Sequence, residues 1–209
     1  MIDRRIFKEI LSKGITIELY VDEDDVNSFI VGRIVSLSDS NCTIECINNT
    51  GLHGGFEVVQ LSAIRKIQWG TRYIEQILLL SKTERWWEQK QSIRVESSSE
   101  RNLVLEELRQ AKAEGAFVSL GLVSEESESS GIVEAIEGNN VVIKEINVDG
   151  ECDGFTLVPL ERIVWLKRGG FLGNKYLTFY ENRSEIYKEH QMSLVLKPGQ
   201  KRRQGQKKG

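Results

Sequence analysis

The chain has 209 residues, 40% hydrophobic and 28% charged, with a formal net charge of −3. This composition excludes a disordered or membrane-embedded chain and allows one medium domain or two small ones. No apolar run is long enough to cross a bilayer, no secretory signal is visible at the N-terminus, and three cysteines make no disulfide framework, so a cytoplasmic protein is expected.

In chain order, Ile6, Ile10 and Leu11 share one helical face, with Asp3 at its start and Lys13-Gly14 as a stop signal. The period then switches to two. Ile15, Ile17, Leu19 and Val21 alternate with Thr16, Glu18 and Tyr20, the pattern of a half-buried strand. Asp22, Glu23, Asp24 and Asp25 follow as solvated loop charge, without the ligand spacing of a calcium loop. Two more strands are expected at about 28–37 and 42–48, turned by Ser38-Asp39-Ser40-Asn41. A glycine-containing turn at 50–55 leads to a fourth strand, and a fifth covers about 64–69.

Residues 71–114 are too long for a plain loop. Tyr73, Ile74, Ile77, Leu78 and Ser81 follow helical spacing, and Ser97-Ser98-Ser99-Glu100 reads as the cap of a further helix. Trp86 and Trp87 are adjacent, so they point about 100 degrees apart on a helix and serve two different surfaces, one of them a candidate partner site. Leu103, Leu105, Leu108 and Ala111, closed by Gly115, form the next helical face. Val118, Leu120 and Leu122 then alternate as a strand, an acidic stretch with Glu125, Glu126 and Glu128 follows, and Glu137-Gly138-Asn139-Asn140 make a turn. Residues 174–180 fit a helix or an alternating strand equally.

This second series repeats the first. At an offset of 99, residues 32–70 match 131–169 without a gap, with 12 identities in 39 positions, against roughly one in sixteen for random segments of ordinary composition. Gly32/Gly131, Asn41/Asn140, Gly51/Gly150, Phe56/Phe155 and Ile64/Ile163 are among the identical pairs. Gly55-Phe56 and Gly154-Phe155 are therefore expected in equivalent places, with both rings in a core.

Chemical motifs are sparse. His53 and His190 stand in no recognisable triad or metal motif, and Cys42 and Cys46 read as core residues of one strand. There is no glycine-rich nucleotide signature. The expectation is a chain that is not an enzyme and uses no cofactor and no metal. Charge is distributed unevenly: residues 197–209 carry six cations and no acid, leaving −9 on residues 1–196. That basic tail is expected to be disordered.

A helix followed by five short strands, with Gly32, Ile34 and Leu37 leading to Asp39, Asn41 and Ile44, resembles the Sm-like small-barrel family. Gly131, Val133, Ile136, Asn140 and Ile143 carry the same resemblance in the second copy. It implies mainly β structure with helices: two tandem five-stranded closed barrels, each preceded by a helix and joined by a helical connector. The corresponding divisions are residues 1–94, 95–192 and a tail at 193–209. It also implies RNA association, with Asn41 and Asn140 as base-contacting residues. The charge of the tail, which lies outside the resemblance, adds Lys201, Arg202, Arg203, Lys207 and Lys208 as nonspecific contacts to nucleic acid or to an acidic partner. The positions of the second family motif read Gln60-Leu61 and Pro159-Leu160. Together with the acidic body and Trp86-Trp87, they support the alternative, a protein-interaction or assembly module. RNA or another protein is thus the expected partner, with no membrane. The strand edges differ between copies, which predicts that pairing stops within one chain or a small dimer.

Overall fold

Asp3 starts helix α1 (Arg4–Lys13) by accepting a hydrogen bond from the Arg5 amide at 2.9 Å. Gly14, at φ 60°, ends it in the left-handed conformation that glycine adopts without penalty. The computed structural model describes residues 2–21, 29–84, 95–96, 102–123 and 128–194. After α1 come β1 (Thr16–Tyr20), β2 (Ile30–Leu37), β3 (Asn41–Ile47), β4 (His53–Gln60), a 3-10 turn, and β5 (Lys66–Gln68). Helix α2 (Arg72–Glu84) follows, then the two-residue strand β6 (Val95–Glu96). Helix α3 (Leu103–Glu114) opens the second series: β7 (Phe117–Leu122), β8 (Ser129–Glu137), β9 (Asn140–Ile146), β10 (Cys152–Pro159), a 3-10 turn, β11 (Ile163–Arg168), and helix α4 (Gly170–Leu194).

Residues 174–180 are therefore helical, as part of α4. Helix α3 is capped by Asn102, which accepts from the Leu105 amide at 3.1 Å. The expected cap, Ser97 to Glu100, lies outside the described residues.

Two closed barrels do not form. Among the described residues, ten strands run in one open antiparallel sheet, ordered β10-β9-β8-β7-β11-β4-β3-β2-β1-β5, with β6 added to β2 in parallel. The connector is thus not wholly helical. Closure would need β4 to bond to β5, and β10 to β11. Instead β4 bonds to β11, aligning Phe56, Glu57, Val58 and Val59 with Arg168, Lys167, Leu166 and Trp165. β5 has only three residues and β11 has six. The longer strand supplies more ladder bonds and an opposite-charge pair, Lys167 across from Glu57, which favours the β4–β11 pairing.

Each half nevertheless has the same internal strand order, and the same glycines serve the same tight approaches. A Cβ on Gly32 would lie 2.2 Å from the Glu45 carbonyl oxygen, and one on Gly131 2.0 Å from that of Lys144. Adjacent bulges interrupt β2 between Ile34 and Ser36 and β8 between Val133 and Ala135, so both strands bend at the same place. One apolar core gathers α1 with β1–β4, including Phe7, Leu19 and Ile44. The other gathers α3 with β7–β11, including Leu108, Leu120 and Leu166, and it recruits Val58 from β4.

The expected burial of both phenylalanines is corrected. Phe56 is half-buried at the β4–β11 junction, whereas Phe155 is 63% exposed. The reason is topological: among the described residues β4 has a neighbour on each side, while β10 ends the sheet and pairs only with β9.

Candidate functional site

A cleft of about 1050 Å³ opens where the halves meet. Strand β4 contributes Gly54 and Glu57, β11 contributes Trp165 and Lys167, and the start of α4 contributes Phe171, Leu172 and Tyr176. Glu128, Glu145 and Asp153 add acidic walls, and Phe29 and Phe117 add aromatic ones. The local sequence explains this arrangement. Gly169 and Gly170, at φ 70° and 87°, turn the chain sharply from β11 into α4, setting the helix start over the cleft. A Cβ on Gly170 would fall 2.5 Å from the Gly54 carbonyl oxygen, so only glycine permits this approach to β4.

Glu57 is a carboxyl group of the cleft whose proton is held more tightly than usual. Enclosure among the strands pushes it up to about 7, against the pull of the Lys167 ammonium and a contact from the Cys46 thiol, which donates to Oε2 at 3.9 Å. The Cys46 thiol itself is raised by burial and by the nearby Glu57 charge, and burial pushes Cys42 up to about 12. Both are inert core thiols. Glu145 is fixed in place, accepting from the Ser130 amide at 2.9 Å and from the Ser129 hydroxyl. The Ser130 hydroxyl donates to that of Ser119 at 2.9 Å. Trp165 sits over Gly121, where a Cβ would lie 2.0 Å from the indole nitrogen. Glu128, Glu145 and Asp153, besides Glu57, which keeps its proton up to about pH 7, outnumber Lys167 among the described lining residues and make the cleft suited to cations, and its aromatic walls suit long alkyl or planar groups.

The residues singled out by sequence lie elsewhere. Asn41 opens β3 and is 8% exposed; its carboxamide oxygen accepts from the Ser40 hydroxyl at 2.7 Å. Asn140 opens β9 in the equivalent hairpin of the other half and is half-buried. Neither lines the cleft. Trp86, Trp87, Lys201, Arg202, Arg203, Lys207 and Lys208 lie outside the described residues. Among the described residues no group of three or more His, Cys, Asp or Glu is placed to hold a metal ion, and no helix is long and apolar enough to cross a membrane.

Sequence reasoning missed Glu57 and Lys167, and a signal for them exists. At the offset of 99 they stand opposite Thr156 and Gln68, a paired gain of opposite charge at the two positions that meet across β4 and β11. It also missed the exposed apolar residues at the sheet ends. Phe155 and Leu157 on β10 are each 63% exposed, and Trp69, next to β5, is 56% exposed. No protein family, curated protein or solved structure matches this chain.

Proposed function

We propose that this chain is an assembly module that extends its open sheet by adding strands at the two ends, with a second copy of itself as partner. The observation that carries the reading is the exposure of Phe155 and Leu157 on β10, whose counterparts Phe56 and Val58 are covered by β11. An open edge with adjacent apolar side chains is a template for strand pairing. The internal junction supplies the register. In it Arg168, Leu166 and Trp165 of β11 face Phe56, Val58 and Val59. Shifted by 99 residues, the same pairing sets Trp69 on Phe155, Ile67 on Leu157 and Lys66 opposite Val158. Gln68 would face Thr156, an uncharged polar pair. A Cβ added to Gly154, at φ 106°, would meet nothing within 4 Å, whereas Gly55 packs against the backbone of residues 168–170. That open space is where an incoming strand end would pack. In place of the arrest within one chain or a small dimer expected from the sequence, the unlike edges at the two ends of the open sheet make the contact head-to-tail, a geometry that yields a closed ring or an open fibre rather than a two-fold dimer.

Light scattering across a concentration series tests the proposal. Masses at integer multiples of 23.8 kDa are expected, falling to a single chain in the Phe155→Asp, Leu157→Asp double variant and in Trp69→Asp. A single-chain mass at every concentration, or multimers indifferent to all three substitutions, would overturn it.

A further inference from the structure

We propose that the cleft between the halves is a docking site for this chain's own C-terminal segment, residues 195–209. Among the described residues that line it, the cleft presents Glu128, Glu145 and Asp153, besides Glu57, which keeps its proton up to about pH 7, against the single cation Lys167. The segment carries Lys197, Lys201, Arg202, Arg203, Lys207 and Lys208 and no acid, while the remainder of the chain carries −9. Attraction between the two is direct, and it operates at high effective concentration because both belong to one chain.

The cleft also suits long cationic side chains in its apolar surfaces. Phe171 and Leu172 are exposed at its rim at 62% and 59%, beside Val148 at 62%. Lysine and arginine lay their alkyl stems on such surfaces and keep their heads polar, and arginine stacks on aromatic faces. Glu128 and Asp153 are exposed and lie at the cleft, so ammonium and guanidinium groups reach them without displacing the fixed Glu145.

Reach decides which cations take part. Tyr176 is the last residue of α4 that lines the cleft, and the helix continues to Leu194. Those 18 residues carry the chain about 27 Å away. An extended return spans at most about 3.5 Å per residue, so Lys197 comes back only about 10 Å, whereas Lys207 and Lys208 come back more than about 40 Å. The two terminal lysines therefore reach the chain's own cleft and Lys197 does not.

Zero-length carbodiimide cross-linking of the full chain, mapped by mass spectrometry on a mixture of isotopically light and heavy protein, tests this. Amide links from Lys207 or Lys208 to Glu128 or Asp153 within one isotopic species are expected, with none from Lys197. Their yield should fall at least tenfold in the Glu128→Lys, Asp153→Lys double variant and on raising the salt, and it should rise in Lys167→Gln. Both reversed positions are exposed, and the Lys167 variant moves the yield in the opposite direction, so loss of folding does not imitate the result. Links formed only between light and heavy species, links from Lys197 at equal yield, or a yield indifferent to these substitutions would overturn the proposal. It stands independently of strand-edge assembly, which this experiment does not probe.

Discussion

The Arg168 guanidinium lies 4.5 Å from the centre of the Phe56 ring, and the two residues are register partners across the strands that join the halves. The same side chain donates to Glu107 at 2.7 Å and to Glu114 at 2.6 Å, both on α3. Arg168 thus ties one half's sheet to the other half's helix through a planar group that stacks and forks at once.

Replacing Arg168 with Ala should destabilise the fold by about 2–4 kcal/mol, because Glu107 loses a largely buried partner and Phe56 loses its cover. Arg168→Lys should recover only part of this, since an ammonium makes neither the fork nor the stack. Urea unfolding of the three proteins checks the ranking. Equal stability of the Lys and wild-type forms would count against it.

Glu57 predicts an unusual acid preference. Its carboxyl sits at about 7 in the folded chain against an ordinary value of 4.5, so the native state holds a proton that the unfolded state releases. The resulting stabilisation is complete below about pH 4.5 and is lost as pH rises to about 7, amounting to at most about 3 kcal/mol. Glu57→Gln should therefore raise the thermal midpoint at pH 8 and leave it nearly unchanged at pH 4.5. A larger gain at the lower pH would show that the sign is wrong.

Glycine at positions 32 and 131 is required by the neighbouring backbone. A methyl group there would meet backbone carbonyl oxygens at 2.2 Å and 2.0 Å, and at position 32 also Cγ2 of the buried Ile44 at 2.7 Å. Gly32→Ala and Gly131→Ala should each cost about 3 kcal/mol or more, by forcing strands apart in a close-packed interior. Denaturant midpoints measure this, and a loss under about 1 kcal/mol in either variant would contradict it.

The two ends of the offset pairing should respond very differently to truncation. Leu166→Ala removes a fully buried side chain and should cost about 2–5 kcal/mol. Phe155→Ala removes an exposed one and should cost under about 1 kcal/mol in the single chain. Unfolding at low protein concentration makes the comparison. A large loss in Phe155→Ala would mean that its ring is covered.

The elements were legible because their signals are local. Asp3 and Gly14 mark the ends of α1, and alternation places β1 and β7 close to where they lie. Which strand pairs with which was not legible. Alternating patterns describe one face of a strand, and they are the same whether β4 meets β5 or β11. The decisive residues, Glu57 and Lys167, lie 110 positions apart and have meaning only as a pair. The same ambiguity misplaced Phe155, since a ring is inside or outside according to whether the next strand is present. The cleft was hidden for a related reason: its walls come from both halves and from the helix that leaves β11.

Val58 belongs by sequence to the first half, yet it is fully buried in the apolar cluster built mainly by the second. The chain therefore cannot be cut at its midpoint into two self-sufficient pieces. A fragment ending before α3 would carry β4 with one flank bare and Val58 wet, and the complementary fragment would lack one wall of its interior. Each piece alone should be sticky and poorly cooperative, and mixing them should restore a single unfolding transition. The joint between the halves is thus part of the folding unit itself, and dissection has to keep β4 and β11 in the same molecule.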